Sequence, residues 1–151
     1  MLNRLIALFK SFRDHDVRYV VIGGVAAVVH GVPRATFDLD ILIEATESNA
    51  SRLLEAFLAA GLGTAALTSP ADVLAHAVTI FRDRVRVDVQ TRTPGIAFLD
   101  AWERSIEKQF RGHSFRVLCR DDLIRSKRAA GRPVDLEDVR ILESLDRPDR
   151  G

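Results

Sequence analysis

Phe37-Asp38-Leu39-Asp40-Ile41-Leu42-Ile43-Glu44 is the stretch on which the fold turns. It alternates with period two. Phe37, Leu39, Ile41 and Ile43 share one face, and Asp38, Asp40, Leu42 and Glu44 share the other, the pattern of a strand with one side in a core. Carboxylates two residues apart on a strand project to the same side, about 7 Å from each other along the chain. Two hard oxygen donors so placed suit a divalent cation. A short D-x-D is common, and an edge strand with a plain polar face reads equally well from these eight residues. Without a cation, two anions beside a core face would cost on the order of several kcal/mol in repulsion and desolvation.

Upstream, Arg18–Ile22 is a short aliphatic run, predicted as a buried strand, that ends at Gly23-Gly24. Val25–His30 then reads as a brief helix closed by Gly31 and Pro33. A glycine turn between strand and helix presents backbone N–H groups to an anion, and glycine lets a phosphate approach closely. A tight turn that merely needs positive φ accounts for the two glycines as well. Leu2, Leu5, Ile6 and Phe9 follow helical spacing and predict an amphipathic helix over 2–13.

Downstream, a helix is predicted from Ser48, as N-cap, to Gly61, with Leu53, Leu54, Phe57 and Leu58 apolar; residues 62–75 carry no clear pattern. Residues 78–81 and 85–90 flank Arg82-Asp83-Arg84 and predict a β-hairpin. In its second arm Val85, Val87 and Val89 face one way and Arg86, Asp88 and Gln90 the other. Beside the strand of Asp38 and Asp40, Asp88 would supply a third metal ligand or accept a proton. Residues 96–109 are predicted helical, 113–119 a strand, and 121–130 and 135–145 two helices separated by Gly131-Arg132-Pro133. The fold class is α/β (α+β): a mixed sheet of four or five strands flanked by helices.

The 151 residues suggest a single domain, with a core over about 14–119 and a C-terminal helical segment over about 120–146. Hydrophobic residues make up 47% and charged residues 28%, which excludes a disordered chain. Cys119 stands alone, so no internal disulfide or cysteine-rich metal site forms; a buried, inert thiol and a cytoplasmic location are expected. The longest apolar run, Tyr19–Val29, is far short of the roughly 20 residues a membrane span needs. The N-terminus does not read as a signal peptide. A net charge of +1 argues against a polycationic nucleic-acid binder, yet residues 102–132 carry nine Lys and Arg against four Asp and Glu. A basic surface beside an acidic centre suits a polyanionic substrate.

Single residues read as follows. Lys127 suits a phosphate as a point charge or lies on a solvated helix face. Arg34 either clamps phosphate or balances Asp38 and Asp40. His30 caps or packs, Asp135 and Asp138 favour a helix N-terminus, and Trp102 belongs to the core.

Four segments in this order resemble the minimal nucleotidyltransferases with a polymerase-β-like fold, in the branch of the AbiEii-type toxins. They are Val20-Val21-Ile22-Gly23-Gly24, His30-Gly31-Val32-Pro33-Arg34-Ala35-Thr36, Phe37-Asp38-Leu39-Asp40-Ile41-Leu42-Ile43 and Val85-Arg86-Val87-Asp88. Residues 123–138 resemble the closing helical segment of the same branch. The resemblance implies that Gly23 and Gly24 contact nucleotide phosphates. It implies that Asp38 and Asp40 bind two Mg²⁺ ions, and that Asp88 binds the catalytic ion and helps the acceptor hydroxyl. Lys127 would reach the triphosphate, with Asp135 or Asp138 in support. The chain departs from many relatives in having Gly24 where they carry Ser or Thr.

The implied activity is Mg²⁺-dependent transfer of an NMP from an NTP to a hydroxyl of RNA (tRNA above all) or protein, as the toxin of a toxin–antitoxin pair. The alternative is a weak or inactive domain of the same fold, serving as an antitoxin or partner-binding module. A small-molecule modifier would want a larger acceptor-binding half. No membrane partner is expected.

Overall fold

The computed structural model describes residues 2–36 and 38–145. Strand β1 (Tyr19–Ile22) is buried along its whole length and runs directly into helix α2 (Gly23–Val29). Strand β2 (Asp38–Ile43) lies antiparallel to β1, with Ile22 opposite Asp40. Leu39, Ile41 and Ile43 are fully buried, as their face requires. Leu42 is buried too, so the other face of β2 is open only at its Asp38–Asp40 end. The place expected for Phe37 lies outside the described residues.

Strands β3 (Val78–Arg82) and β4 (Arg86–Gln90) form the predicted hairpin, and Val87 and Val89 point into the core while Arg86, Asp88 and Gln90 do not. β4 runs parallel to β2, which sets Asp40 opposite Asp88 and Asp38 opposite Arg86. Strands β5 (Ile106–Phe110) and β6 (His113–Val117) make a second hairpin, and β6 is parallel to β1. The sheet order is β3-β4-β2-β1-β6-β5. The carboxylate strand is therefore paired on both sides and is no edge strand.

The other helices are α1 (Leu2–Asp14), α3 (Glu47–Ala59), α4 (Pro70–Ala75), α5 (Phe98–Arg104), α6 (Arg120–Ala130) and α7 (Pro133–Leu145). Their apolar stripes close the core around an aromatic chain: Phe9 on Phe115 at 4.6 Å between ring centres, Phe12 on Tyr19 at 4.6 Å, and Phe57 on Phe81 at 4.8 Å. Burial raises the pKa of the Tyr19 phenol far above its ordinary value, the mark of a ring held in apolar surroundings.

Some expectations are corrected. The sheet has six strands, one more than the upper expectation, because residues 96–109 are not one helix. Helix α5 stops at Arg104 and β5 follows at once, paired along its length with β6. α3 begins at Glu47, with the Thr46 hydroxyl accepting from the Asn49 N–H at 3.2 Å, so Thr46 and not Ser48 is the N-cap. The stretch without a pattern holds a 3-10 turn (Gly63–Leu67) and α4, opened by a capping box of Ser69 and Asp72. Cys119 is half-buried, just ahead of α6, and partial burial raises its thiol pKa.

Candidate functional site

Asp38, Asp40 and Asp88 come together because two adjacent interior strands both present their polar face at the same level. Strand spacing is about 4.8 Å, so residues opposite in register hold their carboxylates within easy reach of a shared ligand. Burial, reinforced by the charges of Asp88 and Asp38, pushes the Asp40 pKa up to about 6, against the pull of Arg132 and Arg86. Asp88 accepts two hydrogen bonds from Arg86, at 2.9 Å from Nε and 3.2 Å from Nη2, and Asp38 lies 3.7 Å from the same Nε. Arg86 thus stands between two of the three acids. Among the described residues, no three Asp, Glu, His or Cys side chains are gathered closely enough to hold a metal ion as they stand.

The glycine turn meets this cluster directly. Gly23 has φ +69°, and a Cβ there would lie 2.4 Å from Asp40 Oδ2, so a side chain at residue 23 would displace the carboxylate. At Gly24 a Cβ would come 2.8 Å from Thr36 Oγ1 and 3.5 Å from Arg34 Nη2. The room that a serine at 24 would need is taken up by the hydroxyl of Thr36. The first N–H groups of α2 receive no side-chain cap.

A third wall comes from the turn between α6 and α7. Gly131, at φ +69°, ends α6 in the left-handed conformation, and Pro133 opens α7. Lys127, Asp135 and Asp138 are all buried. Lys127 Nζ is 2.8 Å from Asp138 Oδ2 and 3.7 Å from Asp135 Oδ1. Asp138 also accepts from Arg34 Nη2 at 2.8 Å, and Asp135 takes Nε and Nη2 of Arg132 at 2.7 and 3.0 Å. Burial alone would raise the Asp135 pKa, but Arg132 and Lys127 hold it below the usual carboxylate range.

Between these walls lies a cleft of about 400 Å³ lined by Gly23, Asp38, Asp40, Asp88, Lys127 and Asp135, with Arg86 and Arg132 beside them. Of the expected site residues, Gly24, Arg34 and Asp138 do not line it. Arg34 pairs with Asp138, not with Asp38 or Asp40. His30 packs as expected, its Nε2–H donating to the Leu118 carbonyl at 2.7 Å. Trp102 sits half-buried at the rim of the core, with the guanidinium carbons of Arg18 and Arg116 at 4.9 and 5.0 Å from its ring centre.

Sequence reading missed Arg86 and Arg132 as site residues. The alternation of β4 already placed Arg86 on the face of Asp88, but its approach to Asp38 depends on the strand register. In the sequence Arg132 stands out only as part of a basic run and of the Gly131-Arg132-Pro133 break.

The donor set suits a hard divalent cation. It offers three carboxylates, one of them short of positive charge, beside a glycine cradle that a Cβ would fill. Arg86 would have to withdraw from Asp38 and Asp88 for all three to turn to one ion.

Residues 2–147 match the model of the family described as "nucleotidyltransferase of unknown function". No curated protein matches the chain. Among the described residues no helix is long and apolar enough to cross a membrane.

Proposed function

The chain belongs to that family of nucleotidyltransferases, and from this premise we propose that it transfers a nucleoside monophosphate from an NTP to an acceptor hydroxyl with Mg²⁺. The observation that carries the proposal is the register that sets Asp40 opposite Asp88, with Asp38 two residues along and Gly23 packed on the Asp40 carboxylate. Asp38, Asp40 and Asp88 would hold the metal, two ions in the full complement, which when bound neutralises the phosphates and polarises the phosphorus. The acceptor oxygen forms a bond to the α-phosphorus, the bond to the β-phosphate oxygen breaks, and pyrophosphate leaves. Asp88 takes the proton of the acceptor hydroxyl. The backbone of Gly23 and the basic turn between α6 and α7 hold the triphosphate in line, so positioning and charge neutralisation carry the reaction. The acceptor is an RNA, with tRNA the first to try, or a protein hydroxyl, and the biological role is that of a toxin held by a cognate antitoxin.

The test is incubation with Mg²⁺, each labelled NTP and either total tRNA or a protein extract. Wild type is expected to label an acceptor, and Asp38→Ala/Asp40→Ala to lose that labelling. Equal labelling by the double variant would sink the mechanism.

One observation favours a second reading, a partner-binding module of the same fold without catalysis. Arg86 neutralises Asp38 and Asp88 from within, and Lys127 is tied up in buried ion pairs. Under that reading neither wild type nor variant labels anything, and Mg²⁺ with NTP leaves the melting temperature unchanged.

A further inference from the structure

We infer that Arg132, and not Lys127, is the side chain that meets the nucleotide's phosphates, and that Lys127 acts through Asp135 to hold Arg132 in place. The inference rests on the nucleotidyl-transfer reading above and adds the identity and support of the triphosphate contact.

Lys127 is badly placed to receive a ligand. Its side chain is 5% exposed, and its ammonium lies between two carboxylates that are themselves buried. Turning it to a phosphate would leave Asp135 without its lysine and Asp138 with Arg34 alone. Breaking up a buried ion network in that way is strongly unfavourable.

Arg132 shares Asp135 but has the opposite exposure, at 71%. Its backbone is fixed between the left-handed Gly131 and Pro133, which forces the residue before it into an extended conformation. Asp135, at the third position of α7, accepts the Arg132 backbone N–H at 3.3 Å as well as the Nε and Nη2 hydrogens. One edge of the guanidinium is therefore pinned on Asp135, and the residue lines the same cleft as Gly23, Asp40 and Asp88. Among the described residues Nη1 makes no hydrogen bond or ion pair. The free end of the planar guanidinium offers two parallel N–H groups at the spacing of phosphate oxygens, which an ammonium does not. Lys127 in turn lies 3.7 Å from Asp135 Oδ1, the oxygen that accepts from Arg132 Nη2, so the relay Lys127–Asp135–Arg132 ends at the cleft.

The experiment is calorimetric titration of the full chain, with Mg²⁺, against ATP, GTP, CTP and UTP and the matching monophosphates. Wild type is expected to prefer at least one triphosphate over its monophosphate. Arg132→Ala should weaken triphosphate binding by about tenfold or more while monophosphate binding changes by less than about twofold. Its melting temperature should fall, because buried Asp135 loses its bidentate partner, so binding is measured well below that temperature and the monophosphate serves as the internal control. Arg132→Lys should recover only part of the preference. Lys127→Met should also weaken triphosphate binding, but add nothing in the Arg132→Ala background, as two residues acting through one contact require. Should Lys127→Met not fold, Asp135→Asn takes its place in the same cycle.

Full triphosphate preference in Arg132→Ala would overturn the assignment of Arg132. An undiminished further loss from Lys127→Met in that background would put Lys127 on the phosphate itself. Failure of wild type to bind any of the four triphosphates would instead overturn the nucleotide reading beneath the inference.

Discussion

Asp40 stands where burial and two neighbouring carboxylates all oppose its charge. Its folded-state pKa of about 6 lies above the 3.8 of the free side chain. A raised acid binds its proton more tightly in the folded state, so stability falls as pH rises from near 4, and the loss is complete above about 6. At neutral pH the ionised Asp40 destabilises the metal-free protein by an amount on the order of 2–3 kcal/mol. Asp40→Asn is near-isosteric and uncharged. In EDTA at pH 7.5 it is expected to be more stable than wild type by that order, with the gain fading as pH falls from 6 to 4. Urea unfolding at four or five pH values measures it. A destabilised Asp40→Asn at pH 7.5 would mean that the neighbouring arginines outweigh burial. A site that holds anions against their own repulsion at the expense of stability is the usual signature of function.

At the scale of elements, the β5–β6 hairpin shows where local sequence misleads. Ile106-Glu107-Lys108-Gln109-Phe110 has three strong helix formers and one β-branched residue, so propensity favours helix. Pairing decides otherwise: Glu107 lies opposite Arg116, and Lys108 opposite Phe115, on a strand with its own place in the sheet. The signal that was present is the turn. Arg111 at φ +51° and Gly112 at φ +82° are the two central residues of a tight hairpin between Phe110 and His113, the geometry in which Asn-Gly is favoured. Arginine is strained there. Arg111→Asn is expected to raise stability by roughly 0.5 kcal/mol, read from urea midpoints. No gain would show that the Arg111 guanidinium over Phe110, at 5.3 Å, offsets the strain. Elements that carry a clean period, such as α1, β2, α3 and the β3–β4 hairpin, were legible to within a residue or two. The alternation of Asp38 to Ile43 even revealed which face would be core.

The candidate site was legible only in part, because its parts meet through distance in sequence. Asp38, Asp40, Asp88 and Gly23 could be named from motif order, and the register does set them together. The partner of Arg34 could not, since Arg34 and Asp138 are 104 residues apart and nothing local announces their pairing. The same blindness affected charge. The basic excess over residues 102–132 looks like an open cationic surface, but Arg104 and Arg125 both bind Asp122, and Arg128 binds Glu143. Extending the window to residue 143 brings in Asp135, Glu137, Asp138 and Glu143 against Arg140 alone and cuts the excess from five to two. An RNA acceptor would thus meet a surface of mixed sign, with less long-range steering than the run of arginines suggested.

The parallel pairing of β2 with β4 also bears on the order in which the molecule assembles. A parallel neighbour cannot be reached by a tight turn, and residues 44–85 must be folded or looped before Asp88 arrives beside Asp40. Gly23 and Asp40, by contrast, meet as soon as the nearby β1 and β2 pair. On that topology the repulsion between Asp40 and Asp88 is expected to arise late in folding. Relief of that repulsion in Asp40→Asn should appear in stopped-flow chevrons as slower unfolding, with the refolding rate little changed.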